Sequence, residues 1–224
     1  MTTDDLGLVT FTLRVAALST LLLLVPGIAC GWLLARWRGP GRGVVETLLS
    51  LPLVLPPTAF GLALLWLLGA RSPLGRALAE RGFEVVFTWK GVVCATMAMS
   101  FPLLVRSART AFEEVDPRLL GVARTLGCGP VAAFFRVALP LARRGLLSGA
   151  VLAFTRALGE FGATVMVAGN IPGRTRTLAL AIFSESQAGR DGHAAALAGI
   201  AGAIAFAALW SADRLARRPG DDEP

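Results

Sequence analysis

Arg156 and Glu160 are the two charged side chains in the otherwise apolar stretch from Gly145 to Ala168, and their spacing puts them one helical turn apart. Unpaired charge at membrane depth is costly, which leaves two arrangements. Either the two form a salt bridge that steadies helix packing, or Arg156 lends positive potential to a passing anion while Glu160 limits how tightly it is held. A pathway must not bind strongly, because a deep well slows release. Hydroxyls at Thr58, Thr96, Ser100, Thr155 and Thr164 are further candidate lining groups, although a threonine in a span often bonds its own helix. Catalytic chemistry is sparse. One histidine, His193, and three scattered cysteines, Cys30, Cys94 and Cys128, have neither metal-ligand spacing nor the pairing of a disulfide framework. The only lysine is Lys90, and no G-x-x-x-x-G-K-[ST] phosphate loop occurs. No catalytic residue, bound cofactor or metal is expected in this chain.

The elements that position these groups follow from composition. Of 224 residues 54% are hydrophobic and 17% charged, and the mean hydropathy is +0.64, which indicates an all-α membrane protein rather than a soluble domain. Uncharged windows long enough to cross a bilayer predict five spans, near 15–35, 46–69, 89–109, 145–168 and 192–213. The connections at 36–45, 106–144 and 214–224 hold 13 Lys and Arg, and those on the opposite side hold 8. The richer set is expected to be cytoplasmic. Residues 1–14 then form an extracytoplasmic N-terminus, 15–213 one membrane domain with a cytoplasmic loop at 110–144, and 214–224 a cytoplasmic tail. The net charge of +7 is accounted for by residues flanking spans and facing lipid headgroups, and with no soluble basic domain nucleic acid is excluded as a partner.

The second span carries Pro52, Pro56 and Pro57 in "LPLVLPPTAFG", so it must kink or break, as a pathway-lining hinge or as a packing kink. Gly159, Gly162 and Gly169 allow close approach, either between two copies of the chain or in ordinary helix packing. On the outer side, "RSPLGRALAERGFEVVFTWK" and "GNIPGRTRTLALAIFSESQAGRDG" each alternate turn residues with a short amphipathic segment, and Leu178 to Ser184, too short to cross, is expected to be a short helix dipping toward the membrane.

Residues 116–138 read as two short amphipathic helices. Asp116–Pro117 starts the first, Gly127 stops it, and Pro130 starts the second. Leu119, Leu120, Ala123 and Leu126 form one apolar stripe; Val131, Phe134, Phe135 and Ala138 form the other. Helices this short need a partner surface, either the membrane domain or another protein, and the small Ala123 suits a helix laid in a groove.

This stretch resembles the cytoplasmic coupling loop of importer-type ABC transporter permeases, whose pattern is Glu-Ala-Ala, three residues, Gly, nine residues, Ile, one residue, Leu-Pro. The pattern falls on Gly121, Val122, Ala123, Gly127, Val137, Leu139 and Pro140, with glycine in place of the usual acid. "SFPLLVRSAR", "VDPRLLGVARTLG" and the segment from "LPLARRG" through "GEFGATVMVAGNIPGRTRTLALAIF" are similar to the permease subunit of the molybdate importer, over roughly residues 8 to 215. The resemblance implies a five-span type I ABC importer permease fold and a homodimer in the bacterial inner membrane. It further implies cytoplasmic ATPase subunits that bind ATP and Mg, and an extracytoplasmic oxyanion-binding protein. ATPase coupling is then expected of Leu119, Leu120, Gly121, Val122, Ala123, Leu126, Gly127, Phe134, Val137, Leu139 and Pro140. The substrate pathway is expected at Arg156, Glu160, Thr155, Thr164, Pro56, Pro57 and Ser100. Sulfate or tungstate are alternative cargoes, and an ATP-independent secondary transporter or channel is the alternative of a different class.

Overall fold

A helix spanning the bilayer satisfies every backbone group internally, and the computed structural model, which describes residues 3–216, is helical wherever regular structure occurs among the described residues. The central element is α5, for which four others must first be placed: α1 (Thr3–Arg36), α2 (Arg42–Val54), α3 (Pro57–Leu68) and α4 (Pro73–Glu80). α1 begins well before the apolar window at 15 and carries Arg14 within it. α5 (Trp89–Glu113) lies against α1 on one side and against α8 (Leu139–Leu158) on another. Small residues set that spacing: a Cβ at Gly31 would lie 2.6 Å from the Ala108 Cβ, and one at Gly149 2.6 Å from the Ser107 Cβ. Ser19 of α1 and Thr96 of α5 share a buried hydrogen bond of 2.6 Å, so neither hydroxyl is left dry and unpaired. Leu21, Val25 and Leu33 of α1 remain exposed, as lipid contact requires.

The prolines of the second window break it where their chemistry demands. Pro52 is carried inside α2, whereas Leu55–Pro56 ends that helix and Pro57 opens α3 in its first turn, with a bend of 109° between the two. No residue of α2 is buried. Four charges tie it to α5 instead. Arg42 Nε donates to Glu46 (2.6 Å) and its Nη2 to Glu113, while Arg109 reaches Glu46 (2.8 Å) and Glu113 (3.0 Å), closing a ring.

The fourth span differs from its expected limits of 145–168. α6 (Pro117–Thr125) is followed by α7 (Pro130–Ala133), a π-turn (Phe134–Ala138) and α8, which run on as one helix from Pro130 to Leu158. The second amphipathic helix is thus the start of the span itself. The wide turn falls just before Pro140, whose missing N–H and ring a regular α-turn accommodates poorly. At the other end the helix stops at Gly159, and α9 (Gly162–Ala168) is a separate short helix. α10 (Leu178–Gln187) and α11 (Asp191–Ala216) complete the described residues, and α4 and α10 are short helices in the two segments where the sequence suggests them. Among the described residues four helices are long and apolar enough to span a membrane, or five when the bent α2–α3 pair counts as one span. Most of the tail at 214–224 lies outside the described residues.

Candidate functional site

The two helix breaks meet. A Cβ at Gly162 would come within 2.7 Å of the Pro57 Cβ and 3.1 Å of the Thr58 amide, so the start of α9 abuts the start of α3. That glycine therefore serves packing inside one chain. Gly169, with a φ of +70°, turns the chain beside Phe87.

Glu160 sits in the break after α8, 1% exposed. Its Oε1 accepts from the Ala163 amide in the first turn of α9 (2.7 Å), and its Oε2 lies 2.7 Å from Arg156 Nη1. The latter is a charge contact whose angle falls short of a hydrogen bond, so Oε2 has no donor among the described residues. The carboxylate thus ties α8 to α9, and the salt bridge is formed. Arg156 keeps 26% of its side chain open. Thr155 bonds the carbonyls of Val151 and Leu152 in its own helix (3.0 Å each). Ser100 of α5 and Thr164 of α9 are fully buried and their hydroxyls have no partner among the described residues. Pro56 and Pro57 are exposed at the bend. Beneath, a cavity of about 530 Å³ lies between α2 and α5, with Glu46, Ser50, Val54, Pro102, Arg106 and Arg109 in its wall.

In the helix pair, Asp116 accepts from the Arg118 amide (2.8 Å) and Gly127 ends α6 with a φ of +82°, as the sequence leads one to expect. The apolar faces divide differently. Leu120 and Ala123 are buried with Phe112, Val115, Ala133 and Ala138, and Phe134 stacks edge-on against Trp32 with centroids 5.0 Å apart. Val137 and Leu139 pack on the same core, while Gly121, Gly127 and Pro140 are exposed. Leu120, Ala123 and Phe134 thus face α1 and α5 and anchor the pair there, since a pair with no anchor has no core of its own, whereas the sequence suggests Ala123 for a groove on a partner. The apolar surface it offers outward is Leu119, Val122 and Leu126 (78% exposed) of α6, with Val131 (70%) and Phe135 (60%) beyond the turn. This face is rotated from the expected one, and Val131 and Phe135 join it through the stripe already visible in sequence.

A cluster at the opposite end has no motif to announce it. His193 of α11 contacts Glu185 of α10 through Nδ1 and Asp5 of α1 through Nε2, each at 3.0 Å, and Arg190 bonds Glu185 at 2.5 and 2.9 Å. Hydrogen bonds from Arg190 and His193 lower the Glu185 carboxyl to about 2.

Comparison with known proteins agrees with this architecture. Residues 27–220 match the family model "Binding-protein-dependent transport system inner membrane component". The chain is 43% identical to the molybdenum transport system permease protein ModB of Escherichia coli (strain K12), over 97% of this chain and 96% of that one. It is 42% identical to its Azotobacter vinelandii counterpart, over 92% and 90%. Identity to the sulfate transport system permease protein CysT of Salmonella typhimurium is 35%, over 93% of this chain and 76% of that one. Among solved structures, the inward-facing MetNI methionine ABC transporter superposes with a TM-score of 0.73 at 16% identity, covering 97% of this chain and 98% of that one. A bacterial ABC transporter that imports alginate also gives 0.73, at 15% identity, covering 99% and 82%. The fold is that of type I ABC importer permeases, and the chain belongs to the binding-protein-dependent transport system inner membrane component family.

Proposed function

We propose that this chain is the membrane permease of an ATP-driven oxyanion importer, with molybdate as its cargo, working by alternating access. The observation that carries the reading is near-complete coverage of molybdenum permeases at 43% identity; the fold match agrees with it. A tetrahedral oxyanion and an arginine are chemically matched, and Arg156, partly open and held by one carboxylate, offers attraction without a deep well. The meeting point of the α3 and α9 starts is the pathway assigned by this reading, and the buried, unpartnered hydroxyls of Ser100 on α5 and Thr164 on α9 are its further candidate groups.

The chain works as a homodimer in the inner membrane, N-terminus outside and C-terminus cytoplasmic, in keeping with the Lys and Arg bias of its connections. An extracytoplasmic binding protein delivers the anion. A separate cytoplasmic subunit binds ATP and Mg and grips the face built from Leu119, Val122, Leu126, Val131 and Phe135, so its closure moves the rigidly anchored pair and, with it, α5 and α8. Sulfate is the second cargo to consider because of the 35% identity to a sulfate permease.

Uptake into vesicles holding this chain with its partner subunits tests the proposal. Molybdate uptake is expected to require ATP, to stop with vanadate, and to be competed by tungstate more strongly than by sulfate. Sulfate uptake of equal efficiency would reassign the cargo, and uptake without ATP would assign the chain to secondary transport.

A further inference from the structure

The cytoplasmic end of α1 and the inner side of the helix pair enclose a recess of about 370 Å³, lined by Trp32, Arg36, Leu120, Arg124, Pro130 and Ala133. Its floor is apolar and its rim is cationic. The Arg36 guanidinium lies 4.3 Å from the centroid of the Trp32 ring, which fixes it over the opening. The positive charges of Arg124 and Arg38 bear on it, yet none of these three arginines has a carboxylate partner among the described residues. Like charges gathered without an acid repel one another, an arrangement that an anion relieves. Val25 and Leu33, exposed on the same helix before Arg36, offer an apolar surface adjoining the cationic end of α1.

We propose that this recess binds the headgroup of an anionic phospholipid, with the phosphodiester between Arg36 and Arg124 and the glycerol edge on Trp32 and Pro130. The same chemistry would accept a free phosphate, but the apolar approach along α1 favours a lipid. Because Leu120 and Ala133 of the recess also belong to the core that anchors the helix pair, an occupied recess holds that pair against α1. The site links the lipid composition of the membrane to the element assigned to ATPase coupling; only that last consequence, and the choice of leaflet, rests on the function proposed above.

The test is made on the full chain in nanodiscs of mixed phosphatidylglycerol and phosphatidylcholine, released and weighed by native mass spectrometry. Retained lipid is expected to be phosphatidylglycerol, and the double variant Arg36→Gln/Arg124→Gln to lose it. Each arginine near an anionic surface contributes about fivefold in affinity, so the loss expected is about 25-fold. Arg36→Lys/Arg124→Lys reports on folding and should keep most of the lipid, and Arg143→Gln/Arg144→Gln, outside the recess, should keep all of it. Equal retention of the two lipids, or equal loss in the Arg143/Arg144 variant, would overturn the proposal in favour of diffuse surface charge. Displacement by excess inorganic phosphate would make it a free-anion site, and displacement by the ATPase subunit would give the recess to an acidic side chain of that subunit. Either of those results overturns the lipid assignment while leaving the importer reading intact.

Discussion

Glu160 performs two tasks with one carboxylate, holding the Ala163 amide with one oxygen and Arg156 with the other. Glu160→Ala removes both and strands a partly buried guanidinium. Breaking a buried ion pair from one side costs about 3–5 kcal/mol, and the partial exposure of Arg156 places this case near the lower end, about 3 kcal/mol. Glu160→Gln keeps an acceptor for the amide and should cost about half as much. Thermal unfolding of the two variants in detergent measures this, and identical melting would rule out the separate capping role. Glu185 makes a pH-dependent contribution of definite sign. Its carboxyl titrates at about 2 in the fold, below the value of about 4.3 for an unfolded chain. The charged form is therefore favoured by folding, its stabilisation is complete above about pH 4.3 and is lost as pH falls toward 2. From about pH 6 downward, where His193, whose titration the hydrogen bonds of Glu185 and Asp5 raise, is charged in the fold, the melting difference between the parent chain and Glu185→Gln should stay constant to about pH 5 and shrink below pH 4. A difference that grows on acidification would contradict this assignment.

α2 is an element with no buried side chain, held to α5 by the ring of Arg42, Glu46, Arg109 and Glu113 and joined to α3 through a 109° bend. Such an arm is secured by electrostatics rather than by packing. Each of the four side chains is close to one-third exposed, so solvent screens every contact and none of them holds the arm alone. Glu46→Gln/Glu113→Gln should raise hydrogen exchange of the α2 amides by about fivefold or more while leaving α5 protected. High salt should do the same to the parent chain, as screening weakens the ring. Unchanged α2 protection in both experiments would mean that α2 is held by contacts other than these charges.

Across the whole molecule, the helix pair, α5 and the C-terminal end of α1 form one apolar unit through Trp32, Phe112, Leu120, Ala123 and Phe134. A pull on the pair is thus transmitted to α5 and α8 without slack, since packed cores do not deform continuously. Cysteines introduced singly at Val122 and Leu126, in a background lacking Cys30, Cys94 and Cys128, are expected to crosslink to the ATPase subunit. A cysteine at Leu120 should not, because that position is buried. Leu126→Asp should abolish co-purification with the ATPase while leaving melting within about 0.5 kcal/mol of the parent, as befits an exposed site. Capture at Leu120 but not at Leu126 would reverse the assigned face.

Hydrophobic length, the proline cluster and the cap residues Asp116, Gly127 and Pro130 were legible in the chain itself, because each acts through its own backbone or through the solvent it requires. They suffice for the helical membrane class, the broken second span and the start and stop of α6. Which apolar stripe faces inward was not legible: Leu119 and Leu120 are equally greasy, and only the position of Trp32, Phe112 and Ala133 in space selects Leu120 for the core. The break after Leu158 and the closed ring of Arg42, Glu46, Arg109 and Glu113 belong to the same kind of outcome. Periodicity along one helix carries no information about residues far away in the chain that come to lie against it, and those residues decide which side chains are left for lipid, cargo and partner.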